Sequence, residues 1–111
     1  MTGFRVIINL LALGLLFISS EMIQAADAQA GRRKARACAA CHGIDGLSKM
    51  PMAPNIAGSP AMYLEKQLQA FRSGERKDDT MSLIAKPLSD DDIADIAAWY
   101  SGLGVEVKVP N

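Results

Sequence analysis

An all-α domain is what this 111-residue sequence predicts, and three observations carry the prediction. Residues 59–74 and 89–102 repeat apolar side chains at helical spacing between recognisable start and stop signals. Residues 43–58 are dense in glycine and proline and read as one long loop. The only alternating apolar run, Val105 to Val109, has no partner strand and reads as an extended arm.

The chain opens "MTGFRVIINLLALGLLFISSEMIQAADA", with one positive residue, Arg5, ahead of an apolar stretch from Val6 to Ile18 that only Asn9 and Gly14 interrupt. A bilayer span needs roughly 20 apolar residues, so an uncleaved anchor is the weaker reading. The small residues that follow suit export and cleavage after Ala25 or Ala26, with Ala28 less favoured. The expected organisation is therefore a secretory signal peptide over residues 1–25, one domain over 26–104 and a tail over 105–111, with no internal repeat. Export places the mature chain in the periplasm, without stable membrane insertion after cleavage.

About 85 mature residues make one small domain, which gains from a staple or a cofactor. Twelve basic and twelve acidic residues balance to a formal charge of zero, and no basic stripe is interleaved with aromatics, so nucleic acid is not an expected partner.

Alanine and straight-chain residues from Ala26 to Ala40, without proline or β-branching, predict a helix running into the first cysteine. In "SPAMYLEKQLQAFRSG", Ser59 is the expected N-cap, Pro60 opens the first turn and Gly74 suits a left-handed C-terminal cap. Leu64, Leu68 and Phe71 mark its buried face. In "SDDDIADIAAWYSG", Ser89 caps the start and Asp90, Asp91 and Asp92 sit at the positive end of the helix dipole, which explains them better than metal binding. Gly102 ends that helix, and Ile93, Ile96, Ala97 and Tyr100 form its inner stripe.

The chemistry concentrates in "ACAACHG", which holds both cysteines, Cys38 and Cys41, and the only histidine, His42. Structural zinc wants about four protein ligands, and three are available. A thioredoxin-like dithiol wants a βαβ framework that this chain lacks. A disulfide over two intervening residues constrains the unfolded chain little. Covalent attachment of one haem c uses all three residues: two thioethers on one side of a helical turn and an adjacent imidazole for iron. A large apolar macrocycle also supplies the core that so short a chain lacks.

No second histidine exists for the opposite face of iron. The mature region carries Met50, Met52, Met62 and Met81, of which at most one is needed, since methionine more often packs. Met62 lies in a first helical turn and is expected to pack. Met50 and Met52 sit in a loop long enough to swing round the haem. Met81 follows a polar loop before the last helix, where a returning chain would reach the far side.

Through "AGRRKARACAACHGIDG", "APNIAGSPAMYLEKQLQAFRSGERKDDTM" and "LSDDDIADIAAWYSGL", the sequence resembles the bacterial class I c-type cytochromes, in particular the small domains that also occur as tandem two-haem periplasmic carriers. The resemblance implies a small class I cytochrome c fold, three to five helices wrapped around one covalently bound haem. It matches the attachment motif to Cys38, Cys41 and His42 and the ligand methionine to Met81, with Met52 in reserve. It matches Pro54 to the proline whose carbonyl receives the free N–H of His42. Gly31 matches the glycine where first and last helices cross, and Trp99 and Tyr100 match aromatic positions of the last helix. The first helix offers no aromatic partner, so a looser crossing is expected there.

The function so implied is a periplasmic one-electron carrier cycling Fe(III) and Fe(II), not an enzyme. Its partners are a redox donor and acceptor docking transiently at the haem edge, steered if acidic by Arg32, Arg33, Lys34, Lys49 and Lys86. Two other readings compete: the cytochrome subunit of a dehydrogenase, such as a flavoprotein oxidising a sulfur compound, and a five-coordinate haem enzyme or gas sensor with Met81 only in the core.

Overall fold

The computed structural model describes residues 24–111, so the expected signal segment lies almost wholly outside the described residues. Among them five helices and no strand are present: α1 (Ala28–Lys34), α2 (Arg36–His42), α3 (Ala61–Ser73), α4 (Met81–Ala85) and α5 (Asp90–Ser101).

The first helical region is interrupted rather than continuous. At Ala35 ψ opens to 4°, and the chain restarts as α2 on a new axis. Ala35 is fully buried, and its carbonyl accepts from both Cys38 and Ala39 amides, so the break is a packed joint. Asp27 caps α1 through its carboxylate, which accepts from the amides of Gln29 and Ala30. Nothing in the alanine-rich sequence marks this break, because alanine is the residue most at home in either helix.

For α3 the expected N-cap is displaced by one residue. Pro60 is the N-cap, extended at φ −56° and ψ 134°, and no side chain caps the helix. Its carbonyl accepts from the Tyr63 and Leu64 amides, while the Ser59 amide donates backward to the Ile56 carbonyl. The proline ring already holds the φ that the entry needs, which makes a hydroxyl cap dispensable. Gly74 ends α3 in the left-handed region at φ 84°, and Leu64 and Phe71 are buried with Leu68 partly so. Residues 105–111 are exposed and carry no regular structure.

α5 forms with the signals its sequence shows. The Ser89 hydroxyl accepts from the Asp92 amide and the Asp92 carboxylate accepts from the Ser89 amide, a reciprocal capping box. Ile93, Ile96, Ala97 and Tyr100 are its buried residues. Ile96, Ala97 and Tyr100 pack with Ala35, Cys38 and Leu64 into one core that also takes in Trp99 and Leu103.

The α1–α5 crossing is close, contrary to the expectation drawn from the missing aromatic. Gly31 is buried, and a β-carbon there would run into the Asp95 carbonyl and touch the Trp99 β-carbon. Arg32 lies over the Trp99 ring at 5.6 Å and supplies a cation–π contact where an aromatic partner was missing. The Asp27 amide donates to Asp95 at 2.7 Å. Lys34 bridges Asp95 at 2.7 Å and Asp92 at 2.9 Å. Lys34 is thus engaged within the fold, and Lys49 pairs with Asp45 at 3.4 Å, which leaves Arg33 and Lys86 as the least committed members of the proposed steering set.

Two measurements test this crossing. Gly31→Ala gains about 1 kcal/mol of helix propensity, but a methyl driven into backbone overpacks by more, so thermal unfolding should show a net loss of about 2 kcal/mol. The Asp95 carboxyl is held below its ordinary value of 3.8 by the Asp27 amide and then by Lys34. Asp92 is held low by Lys34 first and by the Ser89 amide next. Carboxylates with depressed folded-state values stabilise above the unfolded value and lose that contribution as pH falls through the folded one. The melting temperature should therefore hold steady down to about pH 5 and then drop on further acidification, with a smaller drop in Asp95→Asn.

Candidate haem site

Helix α2 sets Cys38 and Cys41 one turn apart, not joined in a disulfide. Cys38 is buried in the core cluster and Cys41 is half-buried, its sulfur 3.4 Å from the Met50 sulfur. Burial, and then the neighbouring Cys41, push the Cys38 thiol above its ordinary value.

His42 closes α2 and is buried, only 8% exposed. Its Nδ1 lies 2.8 Å from the Pro54 carbonyl oxygen. A carbonyl can only accept, so Nδ1 donates and Nε2 carries the free lone pair. The imidazole is thereby oriented and its basicity raised, as for a metal-ligating histidine with an engaged second nitrogen.

The loop over 43–58 delivers that carbonyl. Gly43 leaves α2 with φ 76°, and the Lys49 amide donates back to the Cys41 carbonyl at 2.8 Å. The Gly46 carbonyl accepts from Ile56 at 2.8 Å and Ala57 at 3.1 Å. Gly46 itself sits at φ 72° against the Ala57 backbone, where a side chain has no room. Helix α5 holds the start of the loop: Trp99 Nε1 donates to the Ile44 carbonyl and Tyr100 Oη to the Gly43 carbonyl, each at 2.9 Å. Burial raises the Tyr100 phenol far above its ordinary value, so it remains a donor.

The methionines separate by position. Met81 is half-buried at the first residue of α4, near His42. The Asp78 carboxylate accepts from the Thr80 and Met81 amides and fixes this start. Met52 is 93% exposed, and Met62, expected to pack, is 83% exposed because it lies on the outer side of α3 from Leu64 and Phe71. α4 is an element that sequence reading did not anticipate. The signal for it was Asp78, an Asx-type cap three residues ahead of Met81, which reads in isolation as part of a charged loop. The links from Tyr100 and Trp99 to the loop were equally unforeseen.

An imidazole with Nε2 free, a thioether near it, and two thiols one turn apart are together the donor set of a covalently bound haem. A model of the family described as cytochrome c matches residues 28–103. The chain belongs to the cytochrome c family. Its fold is the small class I cytochrome c fold, and its cofactor is covalently bound haem c. Cytochrome c-554(548) of Halomonas halodenitrificans is 50% identical over 80 residues, which are 69% of this chain and 96% of that protein. Cytochrome c4 of Pseudomonas aeruginosa is 42% identical over 104 residues, 92% of this chain and 50% of that one. The crystal structure of reduced recombinant cytochrome c4 from Pseudomonas stutzeri superposes with a TM-score of 0.69 at 42% identity, over 75% of this chain and 48% of that chain. This cytochrome thus spans about half the length of the cytochrome c4 relatives, and nearly all of the halophile protein.

Proposed function

We propose that this cytochrome is a one-electron carrier of the periplasm, with His42 and Met81 as axial ligands and Cys38 and Cys41 as the thioether anchors. The observation that supports it most is the Nδ1 bond from His42 to Pro54, which leaves Nε2 for iron while Met81 stands near. When bound, the haem supplies an iron that gains or releases one electron. His42 holds its ring fixed through Pro54, so little reorganisation of the ligand accompanies the change of charge. Met81 supplies a soft thioether, which favours the ferrous state over stronger donors. His42 and Met81 would both be engaged in holding the group, which suits electron transfer better than substrate binding.

The expected location follows from the exported reading of the N-terminus. Among the described residues no helix is long and apolar enough to cross a membrane. Redox partners would meet the protein through small transient interfaces, below about 1,200 Å² of total buried surface. Their charge is weakly constrained, because Lys34 and Lys49 are already paired within the chain.

The test is an absorption spectrum with a redox titration. The wild-type protein should give the haemochrome of two thioethers, a reversible one-electron couple and the thioether–iron charge-transfer band of the ferric state. Met81→Ala should abolish that band and keep the haemochrome. Retention of the band in the variant would exclude Met81, and rapid carbon monoxide binding by the native protein would mark a five-coordinate iron instead.

A further inference from the structure

We propose that Tyr100 is a positioning residue for the iron ligand, acting on His42 by tying together the two ends of the loop that carries the Pro54 carbonyl. This rests on the ligand role proposed for His42. Tyr100 is 1% exposed and uses two separate groups. Its Oη donates to the Gly43 carbonyl at 2.9 Å, at the point where the chain leaves His42. Its main-chain carbonyl accepts from the Gly58 amide, also at 2.9 Å, where the loop ends. One residue of α5 therefore fixes both ends of a loop fifteen peptide bonds long, residues 43–58.

Between those ends the loop has its own cross-links, the Gly46 carbonyl with Ile56 and Ala57 and the Cys41 carbonyl with Lys49. Pro54 itself is exposed and has no amide hydrogen to donate, so it is held through its neighbours: the Ala53 amide donates to the Met50 carbonyl at 3.1 Å and the Asn55 side chain accepts from the Ser48 amide at 2.7 Å. The Pro54 carbonyl stays 2.8 Å from Nδ1 because the frame around it is rigid. Displacing the Gly43 end moves His42 and the frame relative to each other. Trp99 reinforces the same end through Ile44.

A tyrosine that only filled the core would need its ring and not its hydroxyl. Tyr100→Phe removes that one oxygen and leaves the Gly43 carbonyl with the Gly46 amide, at 3.1 Å, as its donor, cutting its tie to α5. In the holoprotein, Tyr100→Phe should shift the reduction potential and the hyperfine-shifted His42 ring resonances away from their wild-type values. Ile93→Val, which trims the fully buried core of α5 away from the loop, should lower the melting temperature and move neither readout. If Tyr100→Phe melts earlier with wild-type potential and wild-type His42 resonances, Tyr100 is core alone and the inference fails. Where Tyr100→Phe does not accumulate as holoprotein, Trp99→Phe, which deletes the bond to Ile44, is read for the same two outcomes. A wild-type spectrum without histidine ligation would instead defeat the functional reading, so the two failures are distinguishable.

Discussion

A single hydrogen bond, from His42 Nδ1 to the Pro54 carbonyl, decides what the rest of the molecule must do. An imidazole offers two nitrogens, and under the proposed ligation iron takes one of them in a fixed direction. Securing the other requires a carbonyl twelve residues further along the chain to return to α2, and an extended, glycine-bearing loop accomplishes that. The loop leaves most of its apolar side chains exposed, with Ile56 alone among the large ones packed against the core. Its rigidity comes instead from main-chain bonds and from the aromatic end of α5, which is why so small a protein devotes its longest packed helix face to a connection.

Helix α5 is accordingly the spine of the structure. Its first turn is held by a capping box and by Lys34 from α1, its middle lies against Gly31 close enough to exclude a β-carbon, and its last turn grips the loop. Conventional core packing supplies the middle, and directional bonds supply the two ends. The crossing with α1 compensates for its lack of an aromatic partner through a guanidinium stacked on Trp99 and an ion-paired lysine. The side chains that close it are long, amphipathic and charged only at their tips.

Much of this was legible in advance. Ser89, Asp92 and Gly102 bound α5 as their types suggest, and Gly74 and the Leu64–Phe71 face define α3, because caps and periodicity are local signals. The attachment motif was legible because three rare residues occur together. The joint at Ala35 was not, since alanine carries no preference that would betray a break. The entry to α3 differed because Pro60 could do by ring geometry what Ser59 was expected to do by hydrogen bonding. The cap at Asp78, and the bonds from Trp99 and Tyr100 to carbonyls 55 and 57 residues away, depend on tertiary placement, and a carbonyl has no identity in a sequence. Met81 was reached by family resemblance, and its half-buried position beside His42 is where three-dimensional proximity adds what spacing could not.

Cys38 sits in the core together with Ile96, Ala97 and Tyr100, residues from the far end of the chain. A side chain walled in by the last-made helix is open to chemistry only while that helix is elsewhere. Under the proposed attachment, the bond to the Cys38 sulfur would form while the chain is still open, and docking of α5 would then seal it. The long sequence separation between α1 and α5, which slows that final docking, keeps the interval available.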